Sequence, residues 1–290
     1  MARRWQAWLF LGPLLVVMGG LLGYPLLSDI YLSLSSVTLS TLRQPLNFVG
    51  LANYLAVLGD HRFWEALGFS LKFAVIATSL ELVLGLAISL FFWHQFRSAN
   101  RLVSLMLLAL MTAPALLAIM VRLMLNDFVG VVPAYMQLLG MTPVPFLGPQ
   151  YVVPTLIAID ALQWVPFCFL LLYTGLQGIP SDLLEAAAVD SASTWQTVIY
   201  VILPQLLPSI VATGFLRFID TFRIFDIIYV LTGGGPGTQT TSISIYIYKH
   251  AFVSGNLGLA IAAAMILLGI SLVPVAAVLR RAFVTREGTA

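Results

Sequence analysis

The chain is 290 residues long, 60% of them apolar and only 9% charged, with a formal net charge of +2. Soluble domains carry about 25% charged residues, and together with a mean hydropathy of +0.98 this composition excludes that class in favour of an integral membrane protein. The near balance of charge offers no broad basic face for nucleic acid, so the few charges inform by position alone.

A membrane-crossing helix needs roughly 20 mostly apolar residues. Six windows meet that demand, at 8–31, 67–93, 102–125, 151–176, 206–231 and 257–279. Arg3 and Arg4 ahead of the first window imitate a secretory signal, but the apolar run is too long and no small-residue cleavage motif ends it, so it reads as a span. Placing both termini in the cytoplasm gathers Arg3, Arg4, Arg97, Arg101, Arg280, Arg281 and Arg286 inside. Arg43, Arg62 and Lys249 then lie outside, with Lys72 at the outer end of the second span, which is the asymmetry that orients membrane proteins. The loop 177–204 becomes cytoplasmic, and the loops 32–66, 126–150 and 232–256 become external. Their Gly, Pro, Asn and Tyr punctuation predicts ordered turns and short helices rather than a separate domain, so 1–290 reads as one membrane domain.

Several spans carry groups that lipid does not tolerate. Glu81 in the second span is open to pairing with any of the arginines. Arg122, Asn126 and Asp127 close the third span, where Arg122 and Asp127 suit interfacial anchors. Asp160 and Gln163 interrupt the fourth at one-turn spacing and read as cavity lining, since a lone carboxylate in the bilayer needs water or a polar neighbour. Cys168, the single cysteine, falls in the same apolar run as a small buried hydrophobe.

The cytoplasmic loop has its own grammar. Pro180 suits a helix start, Asp182 and Glu185 have capping-box spacing, and 183–189 is a run of strong helix formers. Ser193 and Gln196 repeat the capping spacing, predicting a second helix from Thr194 to Pro204, so the loop reads helix, corner, helix. An isolated helix this short is marginal in water. It needs a partner, either another protein gripping a face of Leu184, Ala187, Ala188 and Ser191, or its own bundle.

The fifth span carries Arg217, Asp220, Arg223 and Asp226, alternating in sign at steps of three along one drifting face. At roughly 2.5 to 3.5 kcal/mol each at a helix centre, four lipid-facing charges are intolerable. They form either the polar wall of a translocation path, with Phe222 or Phe225 to stack on a sugar ring, or an internal salt-bridge ladder. Gly233-Gly234-Gly235-Pro236-Gly237 lacks the Gly-Lys-Ser/Thr ending of a phosphate loop and reads as a tight external turn. His61, His94 and His250 form no metal-binding or hydrolytic pattern, so no catalytic residue and no metal site are expected.

Glu185-Ala186-Ala187, Asp190-Ser191-Ala192-Ser193 and Ile202-Leu203-Pro204 resemble the cytoplasmic signature loop of permease subunits of ATP-binding-cassette importers. Asn47–Tyr54, the stretch 222–236 and the stretch 246–252 resemble the carbohydrate-type branch, similar to maltose and trehalose permeases. The resemblance implies an all-α, type I importer permease fold in the bacterial inner membrane. It implies that Leu184, Glu185, Ala186, Ala187, Asp190, Ser191 and Ala192 dock on a cytosolic ATPase, present in two copies, which binds the ATP and Mg. It further implies a second, different permease and an extracytoplasmic sugar-binding protein seated on Gly233, Gly234, Gly235 and Pro236. The intramembrane polar residues by themselves suggest a substrate path past Asp160, Gln163, Phe222, Arg223 and Asp226. The implied cargo is a di- or oligosaccharide such as trehalose or maltose. The family usually has glycine where this chain has Ser191, which puts strain on the corner. The rival from another class is an ion-coupled secondary transporter using Glu81, Asp160 or the charge ladder as a relay.

Overall fold

The computed structural model describes residues 11–95, 104 and 106–287, with side chains described as far as Pro274 except at 94, 95 and 109. Arg3, Arg4, Arg97 and Arg101, on which part of the expected topology rests, lie outside the described residues, as do the side chains of His94, Arg280, Arg281 and Arg286.

The chain begins with α1 (Leu11–Ser33), followed by a two-residue hairpin pair, β1 (Ser35–Ser36) and β2 (Asn47–Phe48), and by α2 (Ala52–Gly59). Next come α3 (His61–Gln95), α4 (Pro114–Met124), α5 (Val131–Leu138), α6 (Val152–Gln177) and α7 (Ser181–Val189). The remainder is α8 (Thr194–Phe222), α9 (Asp226–Thr232), α10 (Ile243–Tyr248) and α11 (Leu257–Glu287). Among the described residues, α1, α3, α6, α8 and α11 are the five helices long and apolar enough to cross a membrane. Lipid offers no partner for backbone N–H and C=O groups, which is why such runs close their hydrogen bonds internally as helices.

Two predicted spans are not single helices. In the third, a 3-10 turn at Leu108–Met111 stops before Thr112, and α4 restarts with Pro114 at its first position. Proline lacks the N–H that would continue the ladder but suits a first turn, so the break sits where the chemistry puts it. The fifth predicted span, 206–231, ends at Phe222; Arg223, Ile224 and Phe225 are non-helical, and Asp226 opens α9. The single charge ladder is therefore corrected to two pieces, with Arg217 and Asp220 on α8, Arg223 at its C-cap and Asp226 on the next helix. Ser242 Oγ donates to the freed Ile224 carbonyl at 2.8 Å, satisfying part of the break.

The described residues form two compact units, one running up to Glu65 together with Ile243 onward, the other being Ala66–Ser242. In the first, α11 packs on α1 and α2. Asn53 Nδ2 donates to the carbonyls of Ser33 and Ser35 at 2.8 and 3.0 Å, and Tyr54 OH lies 2.8 Å from Ser33 Oγ, so this motif fastens the end of α1. Tyr246 OH donates to Asp60 Oδ2 at 2.8 Å, while its ring packs edge-on against buried Phe63. His250 lies 4.0 Å from the same carboxylate; burial pulls its imidazole below the ordinary value, partly offset by Asp60.

In the second unit, α6 packs on α8, and the fully buried Leu172, Leu176, Ile202 and Leu206 form its apolar centre. Close contact of α3 with α6 depends on Gly85, where an added Cβ would meet Cys168 Cβ at 2.7 Å. Ser89 Oγ donates across the same contact to the Phe169 carbonyl at 3.1 Å.

Candidate functional site

Arg217 sits on α8 with only 2% of its surface exposed, at the centre of a charge network drawn from three spans. Its Nε and Nη2 fork onto the two oxygens of Glu81 at 2.7 and 2.9 Å. Nη2 also donates to Asp160 Oδ2 at 3.3 Å, and Nη1 to Asp220 Oδ2 at 2.7 Å. The guanidinium carbon stands 4.3 Å from the centre of the Trp164 ring, a cation–π contact. The bidentate fork is the strongest geometry available to arginine and carboxylate. It resolves the open pairing of Glu81, which the sequence left to any of several arginines.

The network forms one wall of a cavity of about 140 Å³ lined by Asp160, Trp164, Arg217, Asp220, Thr221 and the broken segment Arg223–Ile227, with Pro114 at its edge. The two helix breaks thus deliver the cavity: α4 starts beside it and the 223–225 interruption exposes backbone and side chains to it. Irregular backbone at membrane depth is tolerated where it lines such a space. Thr221 Oγ1 is buried without a hydrogen-bond partner.

The expected path residues separate into two groups. Asp160, Arg223 and Asp226 line the cavity; Gln163 and Phe222 do not. Gln163 is buried and its Nε2 donates at 2.9 Å to the Thr112 carbonyl, so it repairs the break before Pro114 rather than facing a ligand. Phe222, the last residue of α8, is turned into the protein and stacks on Phe218 at 6.0 Å, leaving Phe225 as the ring at the cavity. Trp164 and Thr221, each one turn beyond a charged residue on the same face (Asp160 and Arg217), had a signal in their spacing. Arg122, expected as an interfacial anchor, donates through Nη1 to the Val230 carbonyl at 2.9 Å and ties α4 to α9.

The loop helix α7 begins at Ser181, one residue before the expected cap, with Pro180 as N-cap and no side-chain capping bond. The Asp182–Glu185 box is accordingly absent, and Asp182 lies in the first turn, where a carboxylate complements the helix dipole. The C-terminal end is a Schellman closure: Ala192 N–H donates to Ala187 O and Ser191 N–H to Ala188 O, both at 3.0 Å. Ser191 takes the left-handed corner at φ 52°. The Ser193–Gln196 capping box forms in full, with bonds of 2.8 and 3.4 Å. Of the expected docking face, Leu184 packs on the apolar centre of its own unit and Ala187 is buried, whereas Glu185, Ala186, Ala188, Asp190 and Ser191 are exposed, with Ala192 half-buried. Burial of Leu184 follows from the amphipathic spacing, since one face of so short a helix must rest on something.

The glycine turn is fastened from within. Gly233 closes α9 at φ 61°, and Thr240 and Thr241 hydroxyls donate to Gly235 O and Gly234 O at 2.6 and 3.0 Å. Of the expected contact residues Gly234 is buried and Gly233, Gly235 and Pro236 are half-buried, while Gly237 beyond them is exposed. Among the described residues no cluster of His, Cys, Asp and Glu is arranged to hold a metal ion.

A polytopic helical chain whose broken spans enclose a polar cavity has the build of a transport-pathway subunit. The chain belongs to the family of binding-protein-dependent transport system inner membrane components, whose model matches residues 8–286. It is 36% identical over 244 residues to the trehalose/maltose transport system permease protein MalF of Thermococcus litoralis, covering 84% of this chain and 82% of that one. It is 34% identical over 272 residues to the trehalose transport system permease protein SugA of Mycobacterium tuberculosis, covering 93% and 86%. In three dimensions it resembles a chain of a bacterial ABC transporter that imports the acidic polysaccharide alginate, with a TM-score of 0.79 over 94% of this chain and 93% of that chain at 22% identity. That likeness is one of fold; the family match and the permease relatives make the chain a multi-pass component of the inner membrane.

Proposed function

We propose that this chain serves as one permease domain in an ATP-driven importer of a di- or oligosaccharide, of the trehalose or maltose kind named for its relatives. It forms half of the path, with a second permease subunit forming the other half, and both termini face the cytoplasm. Two cytosolic ATPase subunits bind the ATP and Mg and grip α7 and its counterpart through the exposed Glu185, Ala186, Asp190 and Ser191. An extracytoplasmic sugar-binding protein docks at Gly233–Pro236. The chain itself is non-catalytic.

The observation that carries this reading is mechanical continuity. Leu184 of α7 packs against the apolar cluster that includes Ile202 and Leu206 of α8, and α8 continues for 29 residues, through a π turn at Val198–Ile202, from the capped corner past the Arg217 network. Displacement of α7 therefore moves the wall of the cavity, the rigid-body coupling that alternating access needs.

Glu185→Arg tests it in the reconstituted complex. Reversing one charge at a protein contact costs several kcal/mol when like charges meet, so sugar uptake per ATP hydrolysed falls by roughly tenfold or more while the spans still assemble. Normal uptake by that variant overturns the docking role. Uptake by the purified chain alone, driven by an ion gradient without ATPase, overturns the ATP-driven reading in favour of secondary transport.

A further inference from the structure

Resting on the reading of this cavity as part of the sugar path, the geometry points to a selectivity for charge: the cavity takes an uncharged, hydroxyl-rich ring and turns away the same ring bearing a carboxylate or phosphate. An arginine in a sugar path ordinarily suggests an anion partner, because its planar fork matches carboxylate and phosphate. Here that capacity is already used. Glu81 occupies the fork, Asp160 and Asp220 take further donors, and Trp164 covers one face of the guanidinium. An incoming anion would have to displace a carboxylate from a group that is 2% exposed.

The charge balance of the wall points the same way. Asp160, Asp220 and Asp226 line the cavity against Arg217 and Arg223, and Glu81 adds a further carboxylate directly behind Arg217. Like charge meets an acidic ligand in a partly desolvated space where screening is weak. Arg223, whose Nε donates to the Ile219 carbonyl at 3.4 Å, is outnumbered at the wall by carboxylates, and the other groups offered to a ligand suit hydroxyls. Asp220 is 55% exposed and Asp226 is exposed, so both carboxylates accept from sugar O–H groups. Thr221 belongs to the same lining, and its Oγ1 is buried and unpartnered. A buried hydroxyl without a partner carries a desolvation cost, which a ligand hydroxyl relieves once χ1 rotation brings the Oγ1 to the cavity face. Phe225 supplies an apolar ring at the wall. Sugar sites combine these elements, convergent acceptors with an aromatic face.

The test uses the assembled complex of both permeases and ATPase, without the extracytoplasmic receptor, so that the receptor's own selection is not what is measured. Equilibrium dialysis compares radiolabelled maltose and trehalose with disaccharides of the same linkage in which one glucose is replaced by glucuronate. The neutral sugar is expected to bind roughly tenfold or more tightly than its uronate. Asp226→Asn, a conservative change at an exposed position, narrows that ratio, and Thr221→Val weakens the neutral sugar without narrowing it. Equal binding of the two by the unmodified complex, or a ratio that Asp226→Asn leaves unmoved, overturns the selectivity. Uptake by the same complex with its receptor present reports separately on the importer reading. If maltose or trehalose is taken up but neither binds in dialysis, the cavity assignment falls and the importer stands; if neither is taken up, both fall.

Discussion

The two ends of α8 solve opposite problems. Its first turn lies in an exposed loop and is held by neighbours in sequence: the left-handed corner at Ser191, then the reciprocal Ser193–Gln196 cap. Its last turns lie among buried charges and are held by partners far away in the chain, Glu81 at a separation of 136 residues and Asp160 at 57. Water can stand in for any bond lost at the first end. At the second it has little access to Arg217, Glu81 and Asp160, and a charge removed from its partner there stays in a low-dielectric interior. A helix that joins an accessible contact surface to a largely buried charge network suits the transmission of force, since it is free to be gripped at one end and rigidly seated at the other.

The contrast is broken most severely at Arg217. Arg217→Ala leaves Glu81 and Asp160 buried without their cation, and removal of one partner from a buried pair costs about 3 to 5 kcal/mol. Thermal unfolding of the purified complex in detergent should show the largest fall in midpoint for this variant. Glu81→Gln should lose less, because the guanidinium retains Asp160 and Asp220; equal losses would mean that the fork to Glu81 is the entire network. Next in size is Gln163→Leu, which strands the half-buried Thr112 carbonyl at the break before Pro114 but also removes the unpartnered Gln163 Oε1, so the cost should stay at about 1 kcal/mol. At the exposed end, Ser193→Ala frees the Gln196 N–H but keeps the bond from residue 193 N–H to Gln196 Oε1. A loss of about 1 kcal/mol is expected, seen as faster amide hydrogen exchange at Gln196 with no change in the global midpoint.

The same contrast explains what the sequence made legible. The membrane class, most of the spans, the helix-corner-helix of the loop and its second capping box rest on composition or on spacings of three and four residues, and these are local. The missed elements depended on what lay across the bundle. Phe222 and Gln163 carry the residue types of a ligand site, and only the turning inward of the last ring of α8 and the open carbonyl of Thr112 assign them to packing and repair. The interruption at 223–225 has no proline or glycine to announce it. Its support comes from Ser242, 18 residues on. Glu81 was visible as a charge out of place, yet its choice of Arg217 over other arginines is a fact of packing between α3 and α8. Asp182 was a reasonable cap by spacing, but Pro180 fixes its own φ and starts the helix early.

Ser191 provides the finest test, because the corner is otherwise ideal. Both Schellman bonds are made at 3.0 Å, so the backbone is already where a glycine would put it, and the side chain is the remaining difference. A Cβ in the left-handed region crowds the neighbouring carbonyl at a cost of about 1 kcal/mol. Ser191→Gly removes that crowding while adding some backbone freedom to the unfolded loop, so the net gain stays at or below about 1 kcal/mol. Exchange of the Ala192 amide, which closes the corner onto Ala187, should slow by up to about fivefold, while exchange at Arg217 and its neighbours stays constant. Faster exchange at Ala192 would mean that the serine hydroxyl supports the corner more than its Cβ strains it. Slower exchange spreading to the Arg217 region would be more informative still, since it would mean that the two ends of α8 communicate even without a partner gripping the loop.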